Sequence, residues 1–432
     1  MVGLENLGFR MNATRTSAPD IAIIGGGYAG MAAAMTLAEH GIRCTVFEAG
    51  KVLGGRARQI NLPELTQPVD NGQHLLLGAY HTTLKLIDSL HPAGTAYLRL
   101  PLQLHTHNGL QLKATRLPAP LNTAWALLTA KGISWSERWH AARFLQQSNT
   151  AVQGSVNELL ASQPASLRTK LWEPLCLAAL NTPPTEASAQ VFLNVLHDSL
   201  LRHGTDSDLI LPRMDLSSLF PAAAGRHILA QGSEVITGQR ISAIEPDDKG
   251  YRILDRHFRA VILAMAPQHL PALLRPHPAL HASLHAAESL SYQSIATVYL
   301  QYPPHIRLPQ PLTGLLHAHA QWIFDRSHTH DQRGLMAAVC SVPPLSGNAL
   351  QQAVVRELQQ YLDLPARPEW VRTIHEKRAT FSCHAALTRP AQRTAWTNFY
   401  LAGDITHHHY PATLEAATQS GVQCATQIIR NT

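Results

Sequence analysis

Two groups of residues in this chain have the types and spacing to hold a nucleotide. The first is Gly25-x-Gly27-x-x-Gly30, which follows the apolar run Ile21-Ala22-Ile23-Ile24. Gly25 permits a tight turn, Gly27 lets the backbone approach a pyrophosphate, and Gly30 lets a helix pack closely on a strand. A helix that starts here offers free N–H groups and a positive dipole end to phosphates. The second is Glu48, 18 residues after Gly30. A carboxylate at that distance can accept hydrogen bonds from a ribose diol. Close behind stands Gly54-Gly55-Arg56, a second glycine–arginine loop that a simple nicotinamide dehydrogenase does not need.

The elements that must position these groups are legible nearby. Ile21–Ile24 reads as a buried parallel strand. Met31 to His40 reads as a helix that Gly41 terminates. Cys44-Thr45-Val46-Phe47 reads as a second strand that ends on Glu48, completing a βαβ unit. The 18 residues from Ile21 to Ala38 carry no charge, the lower limit for a membrane span. The cluster Gly25, Gly26, Gly27 and Gly30 instead predicts a buried strand, turn and helix. Farther along, Val235-Ile236, Ile241–Ile244 and Ala260–Ala264 read as short strands separated by turn residues. Phe399-Tyr400-Leu401-Ala402 reads as a buried strand leading through Gly403-Asp404 to a helix over 413–429. Residues 105–205 look mostly helical. Ser134-x-x-Glu137 is a capping box ahead of a helix with Trp135, Trp139, Ala142 and Leu145 on one stripe. Residues 271–390 mix strands and helices.

Composition narrows the function classes. A chain of 432 residues with 45% apolar and only 15% charged residues can build a large core and is not a disordered polymer. Five scattered cysteines show no CxxC or zinc spacing and fit a reducing cytosol. The net charge of +6 is spread along the chain without a basic block, which disfavours nucleic acid and leaves contact with an anionic membrane open. Residues 1–18 lack the apolar core of a secretory signal and are expected to be a disordered extension. His407-His408-His409 reads as a solvated loop; adjacent side chains rarely converge on one ion, so no metal is expected.

The run Glu48-x(5)-Gly54-Gly55-Arg56 resembles the flavin-containing amine oxidase and phytoene desaturase superfamily. Longer runs are similar to one branch, the squalene-associated FAD-dependent desaturases, which are hydroxysqualene dehydroxylases. These runs are 70–80 (DNGQHLLLGAY), 172–183 (WEPLC then ALNTP), 211–217 (LPRMDLS), 376–381 (EKRATF) and 401–415 (LAGD then YPATLE). The similarity extends from about Ile21 to the C-terminus. His407–His409 and Ala416 depart from the pattern.

The resemblance implies an α/β fold: a Rossmann-like FAD-binding domain (19–104, 206–270 and 391–432) with a discontinuous α+β substrate domain (105–205 and 271–390). It implies FAD contacts at Gly54, Gly55, Arg56, Gly72, Gln73, Val235, Gly403, Asp404, Leu414 and Glu415, beside Gly25, Gly27, Gly30 and Glu48. The amides opening the last helix would face the flavin pyrimidine edge and stabilise its reduced form. The implied reaction reduces hydroxysqualene to squalene, in hopanoid biosynthesis. An acid helps the allylic hydroxyl leave and a hydride from reduced flavin quenches the carbon. His74, which can be protonated near neutral pH, is the candidate acid. Cys176 reads as a buried inert thiol and Tyr410 as a packing residue. No motif names an electron donor. Rival readings are a carotenoid-type desaturase or amine oxidase of the same fold, and a non-catalytic prenyl-lipid carrier; a purified carrier would be colourless. A cytoplasmic protein in peripheral contact with the inner membrane follows from the substrate, with the Trp135–Phe144 helix as a candidate surface.

Overall fold

The computed structural model describes residues 20–107, 109–146 and 151–431; the expected N-terminal extension lies outside them. The principal elements, in chain order, are β1 (Ile21–Ile24), α1 (Tyr28–Glu39), β2 (Cys44–Glu48), α2 (His81–Asp88), α3 (Leu121–Leu128), α4 (Trp135–Gln146), α5 (Glu173–Leu180), α6 (Ala189–Leu200), β3 (Glu234–Thr237), β4 (Ala260–Leu263), β5 (Tyr292–Gln301), β6 (Leu312–Gly314), β7 (Trp322–Asp325), β8 (Leu335–Ser341), α7 (Gly347–Leu362), β9 (Trp370–Phe381), β10 (Phe399–Leu401) and α8 (Leu414–Arg430).

A five-stranded parallel sheet runs β3-β2-β1-β4-β10. Its strands come from three distant stretches of chain, which brings Gly25, Glu48 and Gly403 to the same sheet edge. β1 and β4 are buried at every residue, as continuous apolar strands in a parallel sheet must be. α1 starts at Tyr28, one turn earlier than the composition suggests, with Gly27 as its N-cap. It is buried along nearly its whole length because α8 covers its outer face. The approach is close: a Cβ on Gly421 of α8 would lie 2.0 Å from the Ala29 carbonyl oxygen. Among the described residues, no helix is long and apolar enough to cross a membrane. The uncharged stretch at Ile21–Ala38 is the strand, turn and helix its glycines predict.

A second five-stranded sheet, antiparallel, runs β6-β7-β8-β5-β9. The period-2 rule divides β5 between two faces. Ala296, Val298 and Leu300 pack with Leu350, Val354 and Leu358 of α7. Thr297 and Tyr299 point the other way, toward the loop 70–74.

Two expectations about elements need correction. Ile241–Ile244 forms no strand. Its two isoleucines are both buried, at an i, i+3 spacing that an extended strand would send to opposite faces. The capping box at the start of α4 is present: Ser134 N–H donates to Glu137 Oε2 at 2.6 Å and Glu137 N–H to Ser134 Oγ at 3.3 Å. The stripe behind it splits, however. Leu145 is buried, whereas Trp135 and Trp139 are 68% and 70% exposed.

Candidate active site

The nucleotide end of the site is built from glycine loops that touch one another. A Cβ on Gly30 would lie 2.0 Å from the Gly25 carbonyl oxygen, so these two glycines serve packing. Gly27 is different. A Cβ there would meet only backbone atoms of Gly54 and Gly55, at 3.8 Å, and the N-terminus of α1 has no side-chain cap. Its first amides therefore stand over open space sized for a ligand's phosphates. Gly54 N–H donates to Gly26 O at 2.9 Å, which fastens the second loop to the first. Gly55 has φ +63°, a left-handed conformation that suits glycine. Glu48, at the end of β2, accepts from Gly26 N–H at 2.8 Å and from Gly50 N–H at 2.6 Å. Val235 pairs with Val46 at the sheet edge and is half-buried.

The third stretch joins through an ion pair. Arg56 Nη2 donates to Asp404 Oδ1 at 2.5 Å, and its Nη1 to the Ala379 carbonyl at 3.1 Å. Asp404 is buried and follows Gly403, whose φ is +148° and whose Cβ position is nearly open. Arg56 thus ties the glycine loop to both β9 and the β10–α8 connection. Arg58 also turns inward, donating to the Gly55 carbonyl at 2.7 Å.

The loop 70–74 is held from below. Tyr299 OH donates to the Asp70 carbonyl at 2.8 Å, Arg326 Nη1 to Gln73 Oε1 at 2.6 Å, and Leu216 N–H to the Asp70 carboxylate at 2.7 Å. Burial pushes the Asp70 carboxyl up to about 7, against the pull of Arg326. Gly72 is half-buried and its Cβ position lies 3.6 Å from the His74 ring. His74 Nδ1–H donates to the Gly72 carbonyl at 2.5 Å, and burial lowers its pKa. Burial thus favours the neutral imidazole, with Nδ1 as donor and Nε2 left as acceptor. That is the reverse of the proton donor expected from the sequence.

At α8, Thr413 caps the helix by accepting from Ala416 N–H at 3.1 Å. Leu414 opens the helix and is half-buried. The Glu415 carboxylate does not face a cofactor. It is buried and accepts from Thr82 N–H, Thr83 N–H, Thr83 Oγ1 and Gln419 Nε2 at 2.7–2.9 Å, which caps α2. Only its main chain is left for the ligand side. The histidine loop departs from the expected solvated loop at His407 alone; His408 and His409 are exposed. His407 is buried, gives Nε2 to Gln419 Oε1 at 2.7 Å and stacks on Tyr410. His409 Nε2 and Tyr410 OH both donate to Asp198 Oδ2, at 2.9 and 2.5 Å. Burial would raise the Asp198 carboxyl, but those bonds and one from His197 hold it far below the carboxylate range. Cys176 is buried, and desolvation raises its thiol well above the reactive range. His81, His203 and Asp206 lie together at the N-terminus of α2; each imidazole pairs with one oxygen of the buried Asp206, at 2.7 and 3.0 Å.

Beside the loop an apolar cluster packs. Half-buried Leu62, Leu65, Leu75, Leu98 and Leu100 converge with Ile295, Leu312, Trp322 and Ile374 on one small core around Val69 and Tyr299.

The model of the flavin-containing amine oxidoreductase family matches residues 28–429. The chain belongs to this family. A hydroxysqualene dehydroxylase of Zymomonas mobilis is 28% identical over 93% of this chain and 97% of its own length. A 15-cis-phytoene desaturase of Arabidopsis thaliana is 24% identical over 97% of this chain and 82% of its own. The solved structure of an oxidoreductase from Methanosarcina mazei superposes with a TM-score of 0.71 over 94% of this chain and 99% of its own, at 16% identity. The protein is an FAD-dependent oxidoreductase of α/β fold. The open Gly27 cradle, the uncapped α1 and the Arg56–Asp404 clasp fit that cofactor. The squalene-type resemblance read from the motifs agrees with its similarity to the dehydroxylase.

The loop 70–74 was visible as a motif, but its supports were not. Thr297, Tyr299 and Arg326 lie more than 200 residues away in sequence and carry no local signal.

Proposed function

We propose that this flavoenzyme reduces hydroxysqualene to squalene. The observation that carries the reading is similarity to a hydroxysqualene dehydroxylase across almost the whole of both chains. The apolar cluster beside the loop 70–74 supports it, because a thirty-carbon isoprenoid offers one hydroxyl and otherwise only hydrocarbon. The reaction consumes one proton and one hydride: the C–O bond breaks, the hydroxyl leaves as water, and a C–H bond forms at the same carbon.

Reduced FAD, when bound, supplies the hydride. The chain does the rest. Gly27, the α1 amides, Gly54 and Gly55 hold the pyrophosphate. Glu48 holds the adenosine ribose and Val235 borders the adenine. Arg56, Gly403 and Asp404 hold the ribityl side. Gly72 and Gln73 would border the ring, and the amides at Leu414 and Glu415 would stabilise the charge of its reduced form. The half-buried leucines exclude water, which would otherwise capture a developing allylic cation. His74, neutral, orients the substrate hydroxyl by accepting a hydrogen bond from it at Nε2, which leaves the hydroxyl oxygen free to take up the proton with which it departs as water.

Similarity to a phytoene desaturase supports a second reading, in which hydrogen passes from substrate to flavin. The label distinguishes them. Enzyme loaded with reduced 5-deaza-FAD deuterated at C5 should give squalene carrying one deuterium. Unlabelled squalene, or no squalene, contradicts the proposal.

A further inference from the structure

Nine large apolar side chains are exposed among the described residues, and six of them fall between Leu117 and Trp139. On α3 the exposed residues are Leu121, Trp125 and Leu128, spaced i, i+4, i+7 on one helical face. The opposite face carries polar residues and is buried. Asn122 Nδ2 donates to the Gly204 carbonyl at 2.9 Å, and Thr123 Oγ1 to the Leu200 carbonyl at 2.8 Å. The buried face also carries Ala126 and Leu127, so α3 has apolar side chains on both faces, and those bonds fix which of them turn outward.

The next helix extends the same surface. Arg138 of α4 reaches back to the last carbonyls of α3, donating to Leu128 O and Ala130 O at 2.5 Å, with its guanidinium 4.3 Å over the Trp135 ring. This clamp sets Trp135 and Trp139 in fixed relation to α3. The segment that carries the surface is basic, although its Arg99 is paired with Asp208. Between Asp88 and Glu158 the sequence holds six cations, Arg99, Lys113, Arg116, Lys131, Arg138 and Arg143, and a single acid, Glu137. That acid is spent on the capping box. Lys113, Arg116, Lys131 and Arg143 are exposed.

We propose that the α3–α4 face docks on an anionic lipid bilayer. Aromatic and leucine side chains enter the headgroup boundary, and the cations meet lipid phosphates. The inference deepens the proposed function by naming where the substrate comes from. An apolar cleft lined by Leu104, Pro174, Leu175 and Trp322 adjoins the face. Lys170 in its wall gives its ammonium to the Gly132 carbonyl, in the turn between α3 and α4, at 3.2 Å. Trp322 also belongs to the apolar cluster beside the loop 70–74.

The test is flotation of the FAD-loaded protein with vesicles of phosphatidylglycerol and phosphatidylcholine, 1:1, and with pure phosphatidylcholine vesicles. The wild type should float with the anionic vesicles and much less with neutral ones, and lose binding as salt rises. The variant Leu121→Ser/Trp125→Ser/Leu128→Ser should bind at least tenfold more weakly with its bound-flavin spectrum unchanged. Lys113→Glu/Lys131→Glu, which leaves the apolar residues in place, provides the same reading if the first variant does not fold. Wild-type flotation by both variants, or a wild type that stays in solution as a dimer, overturns the surface. Loss of flotation by the variants upholds it even if no preparation converts hydroxysqualene, an outcome that would remove only the substrate assignment.

Discussion

His74 sits at the reacting end of the site with its protonation set by its neighbours. Its Nδ1–H is committed to the Gly72 carbonyl and burial favours the neutral ring. A protonated donor would make activity fall as pH rises through the ordinary imidazole range near 6.5. A neutral orienting residue produces no such limb. The pH profile of kcat should therefore show no decline between about pH 6 and 8, while His74→Ala lowers kcat roughly ten- to hundredfold through misplacement of the hydroxyl. A wild-type limb near 6.5 that vanishes in His74→Ala would restore the acid role. Asp70 is the second residue whose environment can be measured. Its folded pKa is raised to about 7. The folded state thus holds a proton that the unfolded chain releases near its usual value of about 4. This contribution to stability is complete below that value and fades as pH rises toward 7. Asp70→Asn keeps an acceptor for Leu216 N–H and should lose less stability than wild type between pH 5 and 8 in denaturant melts. An unchanged slope would contradict the assignment.

At the scale of elements, two glycines separate cofactor binding from folding. Gly27→Val places methyl groups over the α1 amides, where the nearest protein atoms to a Cβ are 3.8 Å away. It should yield a folded protein with wild-type circular dichroism that purifies without colour. Gly421→Leu drives a Cβ to 2.0 Å from the Ala29 carbonyl and should prevent α8 from docking on α1. Soluble, yellow Gly421→Leu protein would mean the helices can move apart. The contrast also marks what the sequence reveals. The β1–α1–β2 unit is local, so its turn, helix stop and terminal acid are readable within 28 residues. The Glu415 carboxylate is not readable, because its partners on α2 lie 332 and 333 residues away. The motif around it points to ligand-facing amides and is silent on the side chain, which the fold spends as a helix cap. On α4 the periodicity shows a stripe but cannot say which side of the helix the rest of the protein occupies. The stripe straddles that boundary, with Leu145 buried and Trp135 and Trp139 exposed.

At the scale of the molecule, three returns of the chain to one parallel sheet assemble a flavin cradle, and the intervening segments place an antiparallel sheet and a helical layer over it. The cradle is glycine-lined, an apolar cluster packs beside the loop 70–74, and the exposed α3–α4 face is the proposed lipid contact. This arrangement suits the proposed reduction of a membrane-soluble alcohol. The most direct test is anaerobic. The purified protein is reduced until the visible bands of its flavin bleach, and hydroxysqualene is added in vesicles. Return of the oxidised flavin spectrum with an equal amount of squalene is the predicted result. A flavin that stays reduced, with the alcohol recovered intact, would contradict the assigned direction and substrate.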